Sequence, residues 1–351
     1  MPNAYINHIV TAVPDYDVHE KYVQHISASL GETTQGKLFR RMSKRSGIGH
    51  RYSFIEPGGT DQRLDERQFF YPGAFPTTAE RMRLYQENAW DLAKRACDQL
   101  PFAELQKVTH IVVTSCTGFY APGLDFDIVK HYGLNPSVER TVVGFMGCSA
   151  AINGLKLARH IVKSERGAQV LMLNAELCTL HLQDTQKMEE LLSFLLFADG
   201  CAASLVSAQP VGLEIEHFHS TLLPETHQQL TWQIGQSGFN MVLSGQVPSS
   251  VAQHLPLHMP AILQGSEAEA MKFWAVHPGG RSIVDAVESS LELPSDALEY
   301  SRKILHDFGN MSSATIMFVL KEIMNSGATG RGCALAFGPG ITAESMLFQL
   351  S

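Results

Sequence analysis

Residues 141–163 read Thr-Val-Val-Gly-Phe-Met-Gly-Cys-Ser-Ala-Ala-Ile-Asn-Gly-Leu-Lys-Leu-Ala-Arg-His-Ile-Val-Lys. A β-like run, Thr141 to Phe145, gives way at Gly147 to Cys148 and then to a helix rich in Ala and Leu, Ser149 to Lys163. Working outward, the same alternation recurs. Val108 to Ser115 is a short β-rich apolar run, hence a buried strand, and Leu124 to Tyr132 reads as a helix with Phe126, Ile128 and Val129 on its apolar side. Strands follow at Gln169 to Asn174 and Cys201 to Ser207. The second half repeats the theme with a strand at Lys272 to Val276, helices at Ser282 to Ser289 and Met311 to Ile323, and a strand at Gly332 to Phe337. Buried strands separated by crossover helices define an α/β fold with a largely buried sheet. The only seam is the short stretch 208–213, so the chain reads as two α/β halves in tight contact, residues 1–210 and 211–351. The polar stretch from Phe54 to Thr78 reads as a surface excursion.

Composition agrees with a large core. Of 351 residues 44% are hydrophobic and only 18% charged, which points to much interior and an oligomer interface. Twenty-seven basic against 35 acidic residues give a net charge of −8, so general nucleic-acid binding, which needs a basic surplus, is excluded. The best apolar run, Leu191 to Val206, is broken by Asp199 and Gly200 and is too short to span a bilayer. The N-terminus lacks the basic and apolar regions of a signal peptide, and six cysteines without a C-x-x-C pair suit neither a disulfide framework nor a zinc cluster. A cytoplasmic protein with free thiols is the expectation.

Three residues invite chemistry. Cys148 stands at a helix start, where unpaired N–H groups and the helix dipole favour a thiolate, and small neighbours leave room for an acyl group. A buried cysteine packing as a small hydrophobe is the rival reading. His277 lies where an apolar strand ends and Pro-Gly-Gly begins, the end of a strand where α/β proteins place catalytic groups. Asn310, in Gly-Asn-Met-Ser-Ser-Ala, is either an N-cap or an amide aimed at a developing oxyanion. Lys37 to Arg51 carries Lys37, Arg40, Arg41, Lys44, Arg45 and Arg51 without an acid, which suits a polyanionic ligand as well as a solvated helix face. The pairs His217/His219 and His254/His258 lack accompanying carboxylates, and Pro256 interrupts the second as a helix, so no metal site is expected.

Together, Gly-Cys-Ser, His-Pro-Gly-Gly, Gly-Asn-Met-Ser-Ser-Ala and Ala-Phe-Gly-Pro-Gly-Ile-Thr-Ala-Glu resemble the chalcone synthase family, the type III polyketide synthases, over residues 5 to 349. The resemblance implies the thiolase fold, two similar halves in five αβαβα layers, working as a homodimer. It implies that Cys148 carries the acyl chain, and that His277 and Asn310 bind the thioester carbonyl and stabilise the enolate left when malonyl-CoA loses carbon dioxide. Phe197 matches the gatekeeper between coenzyme A tunnel and cavity; Gly338, Pro339 and Gly340 match a loop shaping the cavity wall. Arg41 and Arg45 match basic positions for the coenzyme A phosphates, with Gly279, Gly280 and Arg281 on the same path. No cofactor is implied beyond the acyl-CoA and malonyl-CoA substrates.

Departures from the plant enzymes bear on substrate. The second gatekeeper is Met241, small cavity threonines are Cys178 and His181, and a glycine is Trp232. Ala121 stands where a methionine reaches across the dimer interface, and Ser-Cys-Thr-Gly-Phe, with Cys116, looks like bacterial members. The expected product is a resorcinol or pyrone with an alkyl tail. Alternatives are a malonyl-primed naphthalene-type synthase, a single-turn enzyme like ketoacyl synthase III, and a non-catalytic acyl-CoA-binding protein.

Overall fold

The computed structural model describes residues 2–60 and 63–351. In the first half the strands are β1 (Ala4–Ala12), β2 (His110–Ser115), β3 (Glu139–Gly144), β4 (Gln169–Leu177) and β5 (Asp199–Ser207). The second half supplies β6 (Leu213–Leu222), a hairpin of β7 (Leu230–Gly235) and β8 (Gly238–Leu243), then β9 (Phe273–Val276), β10 (Gly330–Gly338) and β11 (Thr342–Leu350). Nine strands form one sheet in the order β9-β10-β11-β6-β1-β5-β4-β2-β3. The halves meet where Ala4, Tyr5 and Ile6 of β1 pair with Ile215, Glu214 and Leu213 of β6.

The order carries an internal repeat. From the seam outward, β1-β5-β4-β2 and β6-β11-β10-β9 have the same sequence of directions: two antiparallel pairings, then a parallel one. The helices repeat as well. Helix α2 (Thr78–Cys97) follows β1 as α5 (Val247–Ile262) follows β6, and α4 (Ala150–Ser164) precedes β4 as α7 (Ser313–Asn325) precedes β10. Helix α3 (Leu124–Tyr132) lies between β2 and β3, and two others matter below, α1 (Thr34–Arg45) and α6 (Arg281–Ser290).

Period-two alternation sorts the strands into layers. Val112, Val170 and Met172 face a central core, while Ile111, Val113, Leu171 and Leu173 face an outer one against α2. Likewise Phe273, Ala275, Ala334 and Ala336 face the centre, and Trp274, Val276, Cys333 and Leu335 face α5 and α6. Helices α4 and α7 fill the centre, and α7 is buried on every side from Ser313 to Leu320. That explains why its sequence is apolar around the whole circumference. The result is five layers, helix–sheet–helix–sheet–helix. Among the described residues no helix is long and apolar enough to cross a membrane.

Two expectations change. Strand β4 runs on past Asn174 to Leu177, because Ala175, Glu176 and Leu177 keep pairing with β5, the carboxylate in this apolar run being satisfied by hydrogen bonds. The stretch 54–78 is not merely a surface excursion, although its residues 61 and 62 lie outside those described. Asp65 and Phe70 are buried, and the Asp65 carboxylate accepts from the N–H groups of Phe69 and Phe70 at 2.7 and 2.9 Å.

Candidate active site

The internal repeat assembles the site. Cys116 follows β2 as His277 follows β9, both one residue past the strand end. Cys148 lies in the 3-10 turn Gly147–Ser149 that enters α4, and Asn310 to Ser312 lead into α7. All six of these residues except Met311 line one cavity of about 650 Å³. Gly147 has φ +61°, and a Cβ there would sit 2.4 Å from Pro339 Cδ. No other residue fits both demands, so the glycine before Cys148 is fixed by backbone and by packing.

The sulfur of Cys148 lies 4.0 Å from Asn310 Oδ1. The Asn310 amide has one possible orientation, since Oδ1 accepts from Ser312 N–H at 2.9 Å and Nδ2 donates to Gly279 O at 3.1 Å. One Nδ2 hydrogen remains for a ligand. Asn310 is not the helix cap, a place taken by Ser312. His277 is 2% exposed and neither ring nitrogen has a partner. A buried imidazole with both positions unmet is a group waiting for a ligand or a proton.

The helix start at Cys148 favours a thiolate, but the surrounding chain acts against charge on both Cys148 and His277. Burial pushes the Cys148 thiol up to about 12, with a hydrogen bond from Ser312 acting the other way, and burial alone holds His277 down to about 3. Desolvation outweighs the helix start here, because the surrounding chain covers His277 and most of Cys148. A neutral thiol beside a neutral base can still react by passing its proton to the base as it attacks.

Two residues escaped the sequence reading. Ser312 adopts φ +48°, ψ −129°, a conformation that costs a non-glycine residue about 1–3 kcal/mol and that sets its side chain against the Cys148 sulfur. Glu176 is fully buried behind the site. Its carboxylate accepts from Cys116 N–H at 3.0 Å, Thr117 Oγ1 at 2.8 Å and Ser313 Oγ at 2.5 Å, joining the ends of β2 and α7. Burial raises its pKa to about 7. A lone acid inside an otherwise buried strand was the signal for Glu176; nothing in the residue types marked Ser312.

Of the predicted cavity residues, Phe197, Cys116, Cys178, Trp232, Met241 and Pro339 line the cavity. Trp232 and Met241 are direct cross-strand partners on β7 and β8, so the two substitutions form one wall. The indole N–H donates to Cys116 O at 2.7 Å. His181 stands behind that wall instead, donating from Nε2 to Thr117 O and accepting from Phe239 N–H, with its ring edge-on to Trp232. Gly338 also acts from behind: a Cβ would meet Ser149 Oγ at 2.4 Å. Gly340 and Ala121 do not line the cavity, and Ala121 is exposed on its loop. The Phe197 backbone is laced to the site, Ala198 N–H donating to Asn310 O and Asn310 N–H to Leu196 O.

The basic segment splits. Arg45 at the end of α1 lines the cavity with Gly279, Gly280 and the exposed Arg281, whereas Arg41 is exposed but not on the lining. Arg51 is buried and donates to the carbonyls of Phe194 and Phe197, so it holds this backbone and does not face the cavity. Arg45→Ala and Arg281→Ala should therefore each raise KM for coenzyme A thioesters severalfold and leave N-acetylcysteamine thioesters, which lack the phosphates, nearly unchanged. Arg41→Ala should do less on both, and steady-state kinetics on the paired substrates decides it.

A five-layer α/β duplication with a cysteine at one central helix start, and a histidine and an asparagine from the other half facing the same cavity, defines a condensing acyltransferase of the thiolase fold. Residues 4–210 match the family described as chalcone and stilbene synthases, N-terminal domain, and residues 214–350 match its C-terminal domain. The chain is 31% identical over 333 residues to the alpha-pyrone synthesis polyketide synthase-like Pks18 of Mycobacterium tuberculosis, covering 90% of this chain and 83% of that one. It is 33% identical over 338 residues to bisdemethoxycurcumin synthase of Oryza sativa subsp. japonica, covering 89% and 82%. Among solved structures, PKS-I from the brown alga Ectocarpus siliculosus superposes with TM-score 0.86 at 28% identity, covering 100% and 99% of the two chains. The C-terminal type III polyketide synthase domain of Steely1 from Dictyostelium shares the fold with TM-score 0.89 at 23% identity, covering 99% of each. The chain belongs to the chalcone and stilbene synthase family and is a type III polyketide synthase.

Proposed function

We propose that the enzyme loads an acyl group from an acyl-CoA onto Cys148 and extends it repeatedly with malonyl-CoA. The cavity supports this reading: Cys148, His277 and Asn310 share one 650 Å³ space with the exposed Arg45 and Arg281 and with the Trp232–Met241 wall. Cys148 attacks the thioester carbonyl as its proton passes to His277, and coenzyme A leaves with a proton. Malonyl-CoA then enters, its thioester carbonyl facing His277 and the free Asn310 N–H. Loss of carbon dioxide leaves an enolate whose oxygen those donors hold, and the enolate carbon attacks the acyl-cysteine carbonyl, freeing the sulfur. No step calls for a cofactor.

The product follows from the walls. A volume in the range of ordinary small-molecule sites holds a chain of moderate length. The starter lies on the Cys178 side, and Trp232 with Met241 presses the poly-β-keto end toward a ring, a pyrone or resorcinol with an alkyl tail. Ala121 stands on an exposed loop outside this chain's own cavity. Similarity to an alpha-pyrone synthesis relative supports a lactone closure. The two halves are assigned to residues 1–210 and 211–351. A cytoplasmic homodimer fits the edge strand β3, whose outer side is unpaired and carries the exposed Val142, with Phe119 and Met146 exposed nearby.

Incubation with a panel of acyl-CoAs and labelled malonyl-CoA, read by product mass, tests the reading. Products of one extension only would make the protein a single-turn enzyme. Trp232→Gly removes an indole that covers about 150–250 Å² and also frees Cys116 O. It should change the ring ratio or the number of extensions while Cys148 still loads. An unchanged product profile across short and long starters would remove Trp232 from the account.

A further inference from the structure

At the opposite end of β2 and β3 from the active site lies a second cluster. His110 and Glu139 are register partners at the first positions of these parallel strands, and Glu165 follows the last turn of α4. Donor atoms of the three lie within 4.8 Å of one another, with His110 Nε2 3.8 Å from a Glu139 oxygen and 3.5 Å from a Glu165 oxygen. The carboxylates are exposed, but the His110 side chain is only 7% exposed and its Nε2 is buried without a hydrogen-bond partner.

The other side of the ring bears on the tautomer. When the Thr109 hydroxyl donates to Gln169 O at 3.2 Å and accepts Gln169 N–H at 3.0 Å, its remaining lone pair can take the proton of His110 Nδ1 at 2.8 Å, the tautomer that a metal ion at Nε2 selects. Nε2 then presents a lone pair to two carboxylates. A cation between three electron-rich donors converging on one point meets all of them at once. We propose that His110, Glu139 and Glu165 form a binding site for a divalent transition-metal ion of the zinc type, with water completing the coordination on the exposed side.

The dimensions suit that ion. With Zn–N and Zn–O bonds of about 2.0–2.2 Å, tetrahedral donors stand roughly 3.4 Å apart, close to the two spacings from Nε2. The negative end of the α4 dipole adds to the attraction at Glu165. Helix α4 has 15 residues, so this end lies about 22 Å from the end that carries Cys148. The ion therefore takes no part in condensation. It clasps the far end of the nucleophile's helix to the edge strand β3.

The test uses the full-length enzyme, stripped with a chelator and titrated with Zn²⁺ by calorimetry, and with Co²⁺ followed by its visible spectrum. One equivalent of Zn²⁺ per chain, an intense four-coordinate Co²⁺ band and a rise in Tm with Zn²⁺ are expected. Glu139→Gln and Glu165→Gln alter exposed side chains and should leave the fold and the polyketide product intact. Each should weaken Zn²⁺ at least tenfold and remove the rise in Tm; His110→Asn should abolish the Co²⁺ band. Equal stoichiometry and affinity in both Gln variants would overturn the site and assign the metal to other surface histidines, such as His217 and His219. No binding to the unaltered enzyme would also overturn it, leaving His110 Nε2–H directed at the two carboxylates.

Discussion

Cys148→Ala is expected to abolish polyketide formation, with intact-mass analysis showing no acyl group on the variant after incubation with any acyl-CoA. Cys116 and Cys178 share the cavity, but both are buried thiols pushed well above the ordinary range, and neither leads directly into an α-helix. An acyl adduct mapped to either would overturn the assignment. The form of the nucleophile is testable in the same preparation. With burial holding the Cys148 thiol near 12 and His277 near 3, thiolate is scarce at neutral pH and each unit of pH raises it. Inactivation of the free enzyme by iodoacetamide should thus climb roughly tenfold per pH unit between about pH 6 and 9, as expected for a thiol titrating above its free range. A rate already level below pH 7 would show a preformed thiolate–imidazolium pair. Ser312→Ala, which removes the hydrogen bond favouring the thiolate, should slow inactivation at every pH.

That pH behaviour marks where the sequence was readable. Strand–Gly–Cys–helix told where Cys148 would stand, and apolar runs located the main strands of both halves, because burial writes itself into residue type. The balance between a helix dipole and desolvation was not legible, since it depends on how much chain from elsewhere covers the sulfur. Arg51 makes the same point: in sequence it belongs to a basic run, but the fold sends it inward to two carbonyls. Trp232 and His181 read alike as altered cavity positions, yet only the hairpin register separates the one on the wall from the one behind it. The cluster of His110, Glu139 and Glu165 has no spacing signature, because two parallel strands and a helix end bring it together across long stretches of chain.

Asn310→Ala carries the second large effect. An oxyanion donor acts only where charge develops, so its loss should fall on decarboxylation and extension, roughly 10²–10³-fold in rate. Loading of Cys148 should fall less, because the acylation step also has His277 within the same cavity. The geometry gives the side chain three duties: Oδ1 takes Ser312 N–H, one Nδ2 hydrogen goes to Gly279 O, and the other is free. Removing the amide therefore also loosens two backbone groups beside the site, and a structural loss has to be separated from a chemical one. Asn310→Asp does this. Its carboxylate still accepts Ser312 N–H, yet it has no N–H for the enolate and adds a negative charge beside it. If the role is chemical, Asn310→Asp should decarboxylate malonyl-CoA at least as poorly as Asn310→Ala, although it keeps the Ser312 contact. If Asn310 served only to hold Ser312, Asn310→Asp would recover most of both activities, and the oxyanion role would pass to His277 alone.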